Sequence, residues 1–267
     1  MGGGRGGDHP AVTATATHIG TATVLLEIDG VTLLTDPAFD PVGSAYDVGT
    51  PIETRSLTAP ALGVADLPPI DVVLLSHDEH ADNLDHAGRR LLTDVGTVIT
   101  TASGATRVTG LARRTVGLEP WQQHQVGNLR ITATPARHGP EGIEPLAGDV
   151  VGFVVEAPEL TIYVSGDTVY YPELDEIGRR FAIDVAFLHV GDAQVAALGE
   201  VSLTMNGDQA VQLARALGEP AVIPIHYGSW AHFTEEIDQV VAAFGQAGLA
   251  DRLHLLTPAH RQPLAFP

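Results

Sequence analysis

The chain contains no cysteine and no lysine. Without thiols it can build neither disulfides nor cysteine-ligated zinc, and it has no thiolate nucleophile. Without an ε-amine it has no Schiff-base lysine and no P-loop lysine to hold a phosphate. All 14 basic residues are arginine, set against 33 acidic ones, for a formal net charge of −19. No basic stripe is available to neutralise phosphates, so nucleic acid is not an expected partner, and neither is an anionic membrane surface. No apolar run is long enough to span a bilayer, and no apolar segment follows the glycine-rich start as a signal peptide requires. Gly6 also stands where a myristoylation signal has Ser or Thr. The expectation is no membrane insertion and a cytoplasmic location. No Gly-x-Ser-x-Gly elbow is present, which argues against a serine hydrolase.

What is present is enough to bury a sizeable core: 267 residues, 44% hydrophobic and 18% charged. Residues 1–12 are too rich in glycine to pack and are expected to form a flexible tail, with residues 13–267 forming one domain. Thr17–Ile28 and Val31–Leu34 read as strands around Asp29-Gly30, a dipeptide suited to a tight hairpin turn. Residues 36–69 have no clear periodicity and are expected to be an irregular loop that roofs a pocket. Further strands are expected at 70–75, 97–100, 129–134, 152–156 and 160–164. Short helices are expected at 83–92 and 104–113. Helix and strand then alternate: helices at 172–181, 206–217 and 235–247, strands at 185–189, 221–225 and 253–256. Both sheets need helices to cover them, so the fold class expected is α/β, a four-layer αβ/βα sandwich with ligands gathered where strand ends meet.

Four stretches each follow an apolar strand-like run and carry histidine or aspartate: Leu74–Asn83 (LLSHDEHADN), Thr134–Gly139 (TPARHG), Tyr163–Thr168 (YVSGDT) and Val222–Tyr227 (VIPIHY). Imidazole and carboxylate are the donors that zinc and similar divalent ions take, and a strand end fixes a side chain with little freedom. The pattern reads as a metal centre.

These stretches, together with Thr17–Glu27 (THIGTATVLLE), Leu33–Pro37 (LLTDP) and Phe187–Gly191 (FLHVG), resemble the metallo-β-lactamase superfamily. Within it they are similar to the branch of ascorbate-6-phosphate lactonases and N-acyl-phosphatidylethanolamine phospholipase D. The resemblance runs in order from Thr17 to Leu256. It implies an αβ/βα fold, one or two divalent ions with zinc foremost and manganese or iron as alternatives, and hydrolysis.

The chain departs from the family's His-x-His-x-Asp-His pattern. Aligned on its second half, His80-Ala81-Asp82-Asn83-Leu84-Asp85 leaves an extra residue between the first two histidines and puts Asn83 in place of a metal-binding histidine. The resemblance then implies that His77, His80 and His138 hold a first ion, that Asp82 and His226 hold a second, and that Asp167 bridges them. Glu79 is the alternative to His80, which ranks above it for ligand type and spacing. Asparagine offers a neutral, hard oxygen, so the second position is weakened. His189 either reaches the site from its strand end or only hydrogen-bonds a backbone carbonyl. His232 either lines the pocket and gives a proton to a leaving group, or packs in its loop with Trp230 and Phe233.

The implied chemistry is a metal-dependent hydrolase acting on a small-molecule ester, lactone, amide or phosphodiester. Metal lowers the pKa of bound water from 15.7 to about 7, and the resulting hydroxide attacks while Asp82 orients it or takes its proton. Arg137 is the nearest candidate for an anion fork, and the apolar loops 36–69 and 192–204 hint at an uncharged or lipophilic substrate. Two other readings carry different consequences: a catalytically idle metal-binding or sensing protein, and a metal-dependent oxidoreductase. No motif encodes an oligomeric state.

Overall fold

The computed structural model describes residues 14–47 and 53–266. The expected tail at residues 1–12 lies outside them. In chain order the first strands are β1 (Ala14–Gly20), β2 (Thr23–Ile28), β3 (Val31–Thr35), β4 (Ala45–Asp47), β5 (Glu53–Arg55), β6 (Val72–Leu74), β7 (Thr97–Thr101) and β8 (Thr115–Leu118). They continue as β9 (Gln123–Val126), β10 (Leu129–Pro135), β11 (Val151–Ala157), β12 (Leu160–Val164), β13 (Val185–His189), β14 (Ala221–Ile225) and β15 (Gln262–Pro263). The helices are α1 (His86–Leu91), α2 (Ala102–Arg107), α3 (Glu144–Ala147), α4 (Asp175–Arg180), α5 (Gly207–Ala216) and α6 (Ile237–Gln246).

One sheet has the order β15-β1-β2-β3-β6-β7-β8 and the other β14-β13-β12-β11-β10-β9. Alternation along the strands sorts side chains into three layers of core. Leu74, Phe153, Phe187 and Ile223 fill the space between the sheets. Val73, Leu75, Leu92 and Val98 pack on the outside of the first sheet. Tyr163, Leu188, Leu213 and Phe244 do so on the second. The result is the four-layer αβ/βα arrangement expected from sequence. No described helix is long and apolar enough to cross a membrane.

Strand direction is what positions the site. In the first sheet β3, β6 and β7 run parallel. In the second, β12, β13 and β14 run parallel. Strand β10 shares that direction because it is antiparallel to β11, which is antiparallel to β12. The carboxyl ends of β10, β12, β13 and β14 therefore lie along one edge of their sheet, and those of β3 and β6 along one edge of the other.

The Asp29-Gly30 hairpin forms as expected, with φ of +49° and +80° at its two residues and Ile28 paired to Val31. Other expectations need correction. Thr17–Ile28 is not one strand: the chain reverses after Gly20, and Thr21 takes a φ of +46°. The turn is held from the far end of the sequence, since Ser229 Oγ lies 2.7 Å from Thr21 Oγ1 and Trp230 Nε1 donates to it. Residues 253–256 form no strand beyond a bridge from Leu253 to Val222. The helix expected at 104–113 begins earlier, where Thr101 caps it by accepting from Gly104 N, and ends at Arg107. The stretch expected to be irregular, 36–69, contains the β4–β5 pair. Strands β8, β9 and β15 were not anticipated.

Candidate metal centre

The donor-bearing residues follow the strand ends closely. His77 lies three residues beyond β6, His138 three beyond β10 and Asp167 three beyond β12, while His226 directly follows β14. His226 has a φ of +64°, the left-handed region that a non-glycine residue rarely adopts. Its amide donates to Thr21 O at 2.7 Å. The turn that sequence reading missed is thus what holds this histidine in a strained backbone position.

Two groups of donors converge within metal-ligand spacing: His77, His80, His138 and Asp167, and then Asp82, Asp167 and His226. In the first, His80 Nδ1 lies 2.9 Å from His77 Nε2 and 3.0 Å from His138 Nε2. Asp167 Oδ2 is 3.6 Å from His138 Nε2 and 4.0 Å from His77 Nε2. Ligand atoms about 2.0–2.1 Å from a tetrahedral ion sit about 3.3–3.5 Å apart, so these separations bracket the requirement. In the second group, His226 Nε2 is 3.2 Å from Asp82 Oδ2 and 3.3 Å from Asp167 Oδ2.

Protons alone do not satisfy this cluster. His138 Nδ1 donates to Leu203 O at 2.8 Å, so in the neutral ring the Nε2 lone pair points inward. Asp167 Oδ2 is buried without a hydrogen-bond partner. Three imidazoles and a carboxylate with inward lone pairs fit a divalent cation.

Burial works against charged imidazole and holds His77 well below its ordinary pKa, with the neighbouring His80 adding to the effect. Burial together with His138 brings His80 down to about 4. His226 goes the other way: burial opposes its cation but is outweighed by Asp167 and Asp82, so its pKa is raised well above the usual value. Burial likewise opposes the charge of both carboxylates. The hydrogen bonds from His226 and His232 overcome it at Asp82, and the facing histidines overcome it at Asp167, leaving each well below the ordinary carboxyl range.

Among the remaining residues singled out in the sequence, Glu79 is not in either donor group. It is exposed and ion-paired with Arg107. His232 lines the cavity over the centre and places Nε2 3.1 Å from Asp82 Oδ2. It also packs on Phe233 with ring centroids 4.6 Å apart, so the pocket and loop-packing readings describe the same side chain. Arg137 stacks over Tyr171 at 4.3 Å from its ring centroid and does not line the cavity.

His189 reaches the edge of the site from its strand end, with Nε2 3.9 Å from Asp167 Oδ1, but it is in neither donor group and its hydrogen bonds go to side chains rather than to a backbone carbonyl. Its Nδ1 lies 3.1 Å from Ser165 Oγ and its Nε2 3.3 Å from Asp36 Oδ2. Asp36 was not assigned a role from sequence, although Thr35-Asp36 ends a strand as the other motifs do. It is buried, accepts from Ser76 N at 2.7 Å beside His77, and so braces the first motif from below. Burial pushes the Asp36 carboxyl above its usual range against the hydrogen bond from His189.

Residues 32–227 match the sequence family described as the β-lactamase superfamily domain. The chain belongs to that family. It is 28% identical to a UPF0173 metal-dependent hydrolase of Exiguobacterium sp. over 237 residues, 87% of this chain and 94% of the relative. It is 27% identical to another of that description from Methanopyrus kandleri, covering 91% and 96% of the two chains. Among solved structures it is similar to an isothiocyanate hydrolase from Delia radicum gut bacteria (TM-score 0.81, 22% identity, 94% and 99% covered). It is also similar to a metallo hydrolase of the archaeon Ignicoccus hospitalis (TM-score 0.72, 21% identity, 96% and 100% covered). At these identities the structural likeness establishes the fold that the two sheets display.

Proposed function

We propose that this β-lactamase superfamily chain is a metal-dependent hydrolase of a small molecule, with zinc its metal and the cytoplasm its setting. The observation that carries the reading is the convergence of two donor groups on Asp167 at the carboxyl edge of the sheets, where they open into a cavity of about 700 Å³. The names of the sequence relatives agree with it. His77, His80, His138 and Asp167 would hold one ion, and Asp82, Asp167 and His226 the partial second position. A divalent ion held there would supply Lewis acidity and make an attacking water easier to deprotonate near neutral pH.

The protein's own groups handle the protons. Asp82 is ionised and faces the cavity, so it accepts a proton from the attacking water. The water oxygen adds to the carbonyl or phosphoryl centre, and the bond to the leaving oxygen or nitrogen breaks. His232, whose Nε2–H donates to Asp82 at 3.1 Å, gives its own proton to the leaving group and takes the proton held by Asp82 in its place. Asp36 and His189 touch neither water nor substrate in this scheme; they hold Ser76 and Ser165 in place beneath the donors.

Elemental analysis of the gently purified protein beside its His77→Ala and Asp167→Ala variants tests the reading, together with turnover of an ester, a lactone and a phosphodiester. Bound zinc lost in both variants, with metal-dependent turnover of one substrate, is the expected result. A folded protein that takes up no metal after reconstitution would overturn it in favour of an idle binding protein.

A further inference from the structure

The cavity over the centre has two unlike sides. One side carries the donors His80 and Asp82 beside His232. The other is a wall of Leu146, Val195, Leu198 and Leu203. Leu146 extends from α3 with 69% of its surface exposed, a large aliphatic side chain left in water at the mouth of the site. The remainder of the wall comes from one segment after β13, residues 193–203, whose sequence AQVAALGEVSL contains no cation. Apolar surface placed against a reactive centre gains free energy when an apolar group covers it.

Charge points the same way. Arg89 is the one arginine among the described lining residues; its Nη2 donates to Asp78 O at 2.6 Å and is ion-paired with Asp78 Oδ2 at 3.6 Å. Arg107, behind the lining, is held by Asp78 Oδ1 at 2.6 Å and by Glu79. Arg137 stacks on Tyr171. The lining carries five acidic residues, Asp78, Glu79, Asp82, Asp85 and Asp167, of which Asp78 and Glu79 pair with Arg89 and Arg107 and Asp85 caps α1. Asp82 and Asp167 offset the charge of a divalent ion held by them, so among the described lining residues an anionic group away from the ion would meet no cation without an acidic partner.

We infer that the site takes an uncharged substrate with an apolar chain, such as a neutral ester or lactone, and discriminates against phosphodiesters and carboxylate-bearing molecules. The inference rests on the hydrolase reading above. The reaction is ester plus water giving acid and alcohol: the water oxygen bonds to the acyl carbon, the acyl C–O bond breaks, and the leaving alkoxide takes the proton.

The test uses ligands that share one metal-binding head. Acetohydroxamate, octanohydroxamate and the monohydroxamate of suberic acid are titrated calorimetrically into the metal-loaded protein. Octanohydroxamate is expected to bind at least about tenfold tighter than acetohydroxamate, as burial of its added methylenes requires, and at least about tenfold tighter than the carboxylate-tipped ligand. Leu198→Glu should flatten the dependence on tail length. Equal affinity for the two neutral ligands, or tighter binding of the carboxylate-tipped one, would overturn the inference. Turnover of 4-nitrophenyl octanoate and bis(4-nitrophenyl) phosphate separates it from the parent reading. Cleavage of the phosphodiester alone refutes the substrate class. Cleavage of neither, with the binding order intact, refutes the hydrolase and leaves the neutral apolar pocket standing.

Discussion

Asn83 donates its side-chain amide to Asp167 Oδ1 at 3.3 Å. Asn83 is fully buried and its own Oδ1 has no partner. The resemblance aligns this asparagine with a histidine ligand of the family pattern. The amide orients the shared carboxylate without adding an imidazole to the Asp82–His226 side. We expect about one tightly held zinc per wild-type chain and about two in Asn83→His, because imidazole completes a four-donor second site. Elemental analysis after exhaustive dialysis reads the ratio directly. Two ions in the wild type would show that the asparagine does not limit the site.

His80 and Glu79 are adjacent in sequence and face opposite surroundings. His80 lies between His77 and His138, while Glu79 lies beside Arg107. His80→Ala should lower zinc affinity by more than 100-fold, on the order of 3 kcal/mol or more. Glu79→Gln should leave affinity within about threefold. Competition with a chromophoric chelator measures both, and a reversal would exchange their roles.

Much of this centre was legible because donor types and strand ends coincide in the sequence. Val185–His189 and Ala221–Ile225 are unbroken apolar runs that stop at a polar residue, and both appear as strands with the expected limits. The β1–β2 turn was not legible. Thr17–Ile28 has no glycine-asparagine signal, and Thr21 is held at positive φ by Ser229 and Trp230, more than 200 residues away in sequence. Asp36 was hidden for a related reason: Asp-Pro reads locally as turn chemistry, and its role depends on Ser76 and His189 arriving from other strands.

Asp82 receives hydrogen bonds from His226 and His232 through the same oxygen, Oδ2. If it takes the proton of the attacking water, Asp82→Asn should reduce kcat by on the order of 100-fold to 10,000-fold with a smaller change in KM. His232→Gln should slow substrates with poor leaving groups more than activated aryl esters, since a good leaving group needs little protonation. An equal effect on both would leave His232 a packing residue.

Gly88 lies in α1, where a Cβ would come within 1.9 Å of Pro37 O. Asp85 caps the helix by accepting from Gly88 N at 2.7 Å, so α1 follows directly on the motif carrying His77, His80 and Asp82. Gly88→Ala should destabilise the fold by about 1–3 kcal/mol or more through overpacking against backbone. It should also weaken metal binding, because the displaced helix moves the motif. Thermal unfolding of metal-free and loaded protein separates the effects; an unchanged melting temperature in both would contradict the close approach.

Proton balance provides a test independent of turnover. In the metal-free protein His226 is raised well above its ordinary pKa, burial being outweighed by Asp167 and Asp82, so at pH 7 it carries a proton that an ion entering the Asp82–Asp167–His226 position must displace. His80, at about 4, is already neutral there, as is His77, and both carboxylates are already ionised. Filling that position at pH 7, as in Asn83→His, should therefore release on the order of one proton, and affinity there should fall by about tenfold per pH unit on acidification. The sign for the metal-free fold is opposite. A raised folded-state pKa adds stability that is fully present below the unfolded value of about 6.5 and fades as pH rises through the elevated one. Titration calorimetry in buffers of different ionisation enthalpy measures the proton release. Adding His226→Gln to Asn83→His should abolish it, and heat of the second ion independent of buffer in Asn83→His would show that His226 is not the proton-holding ligand.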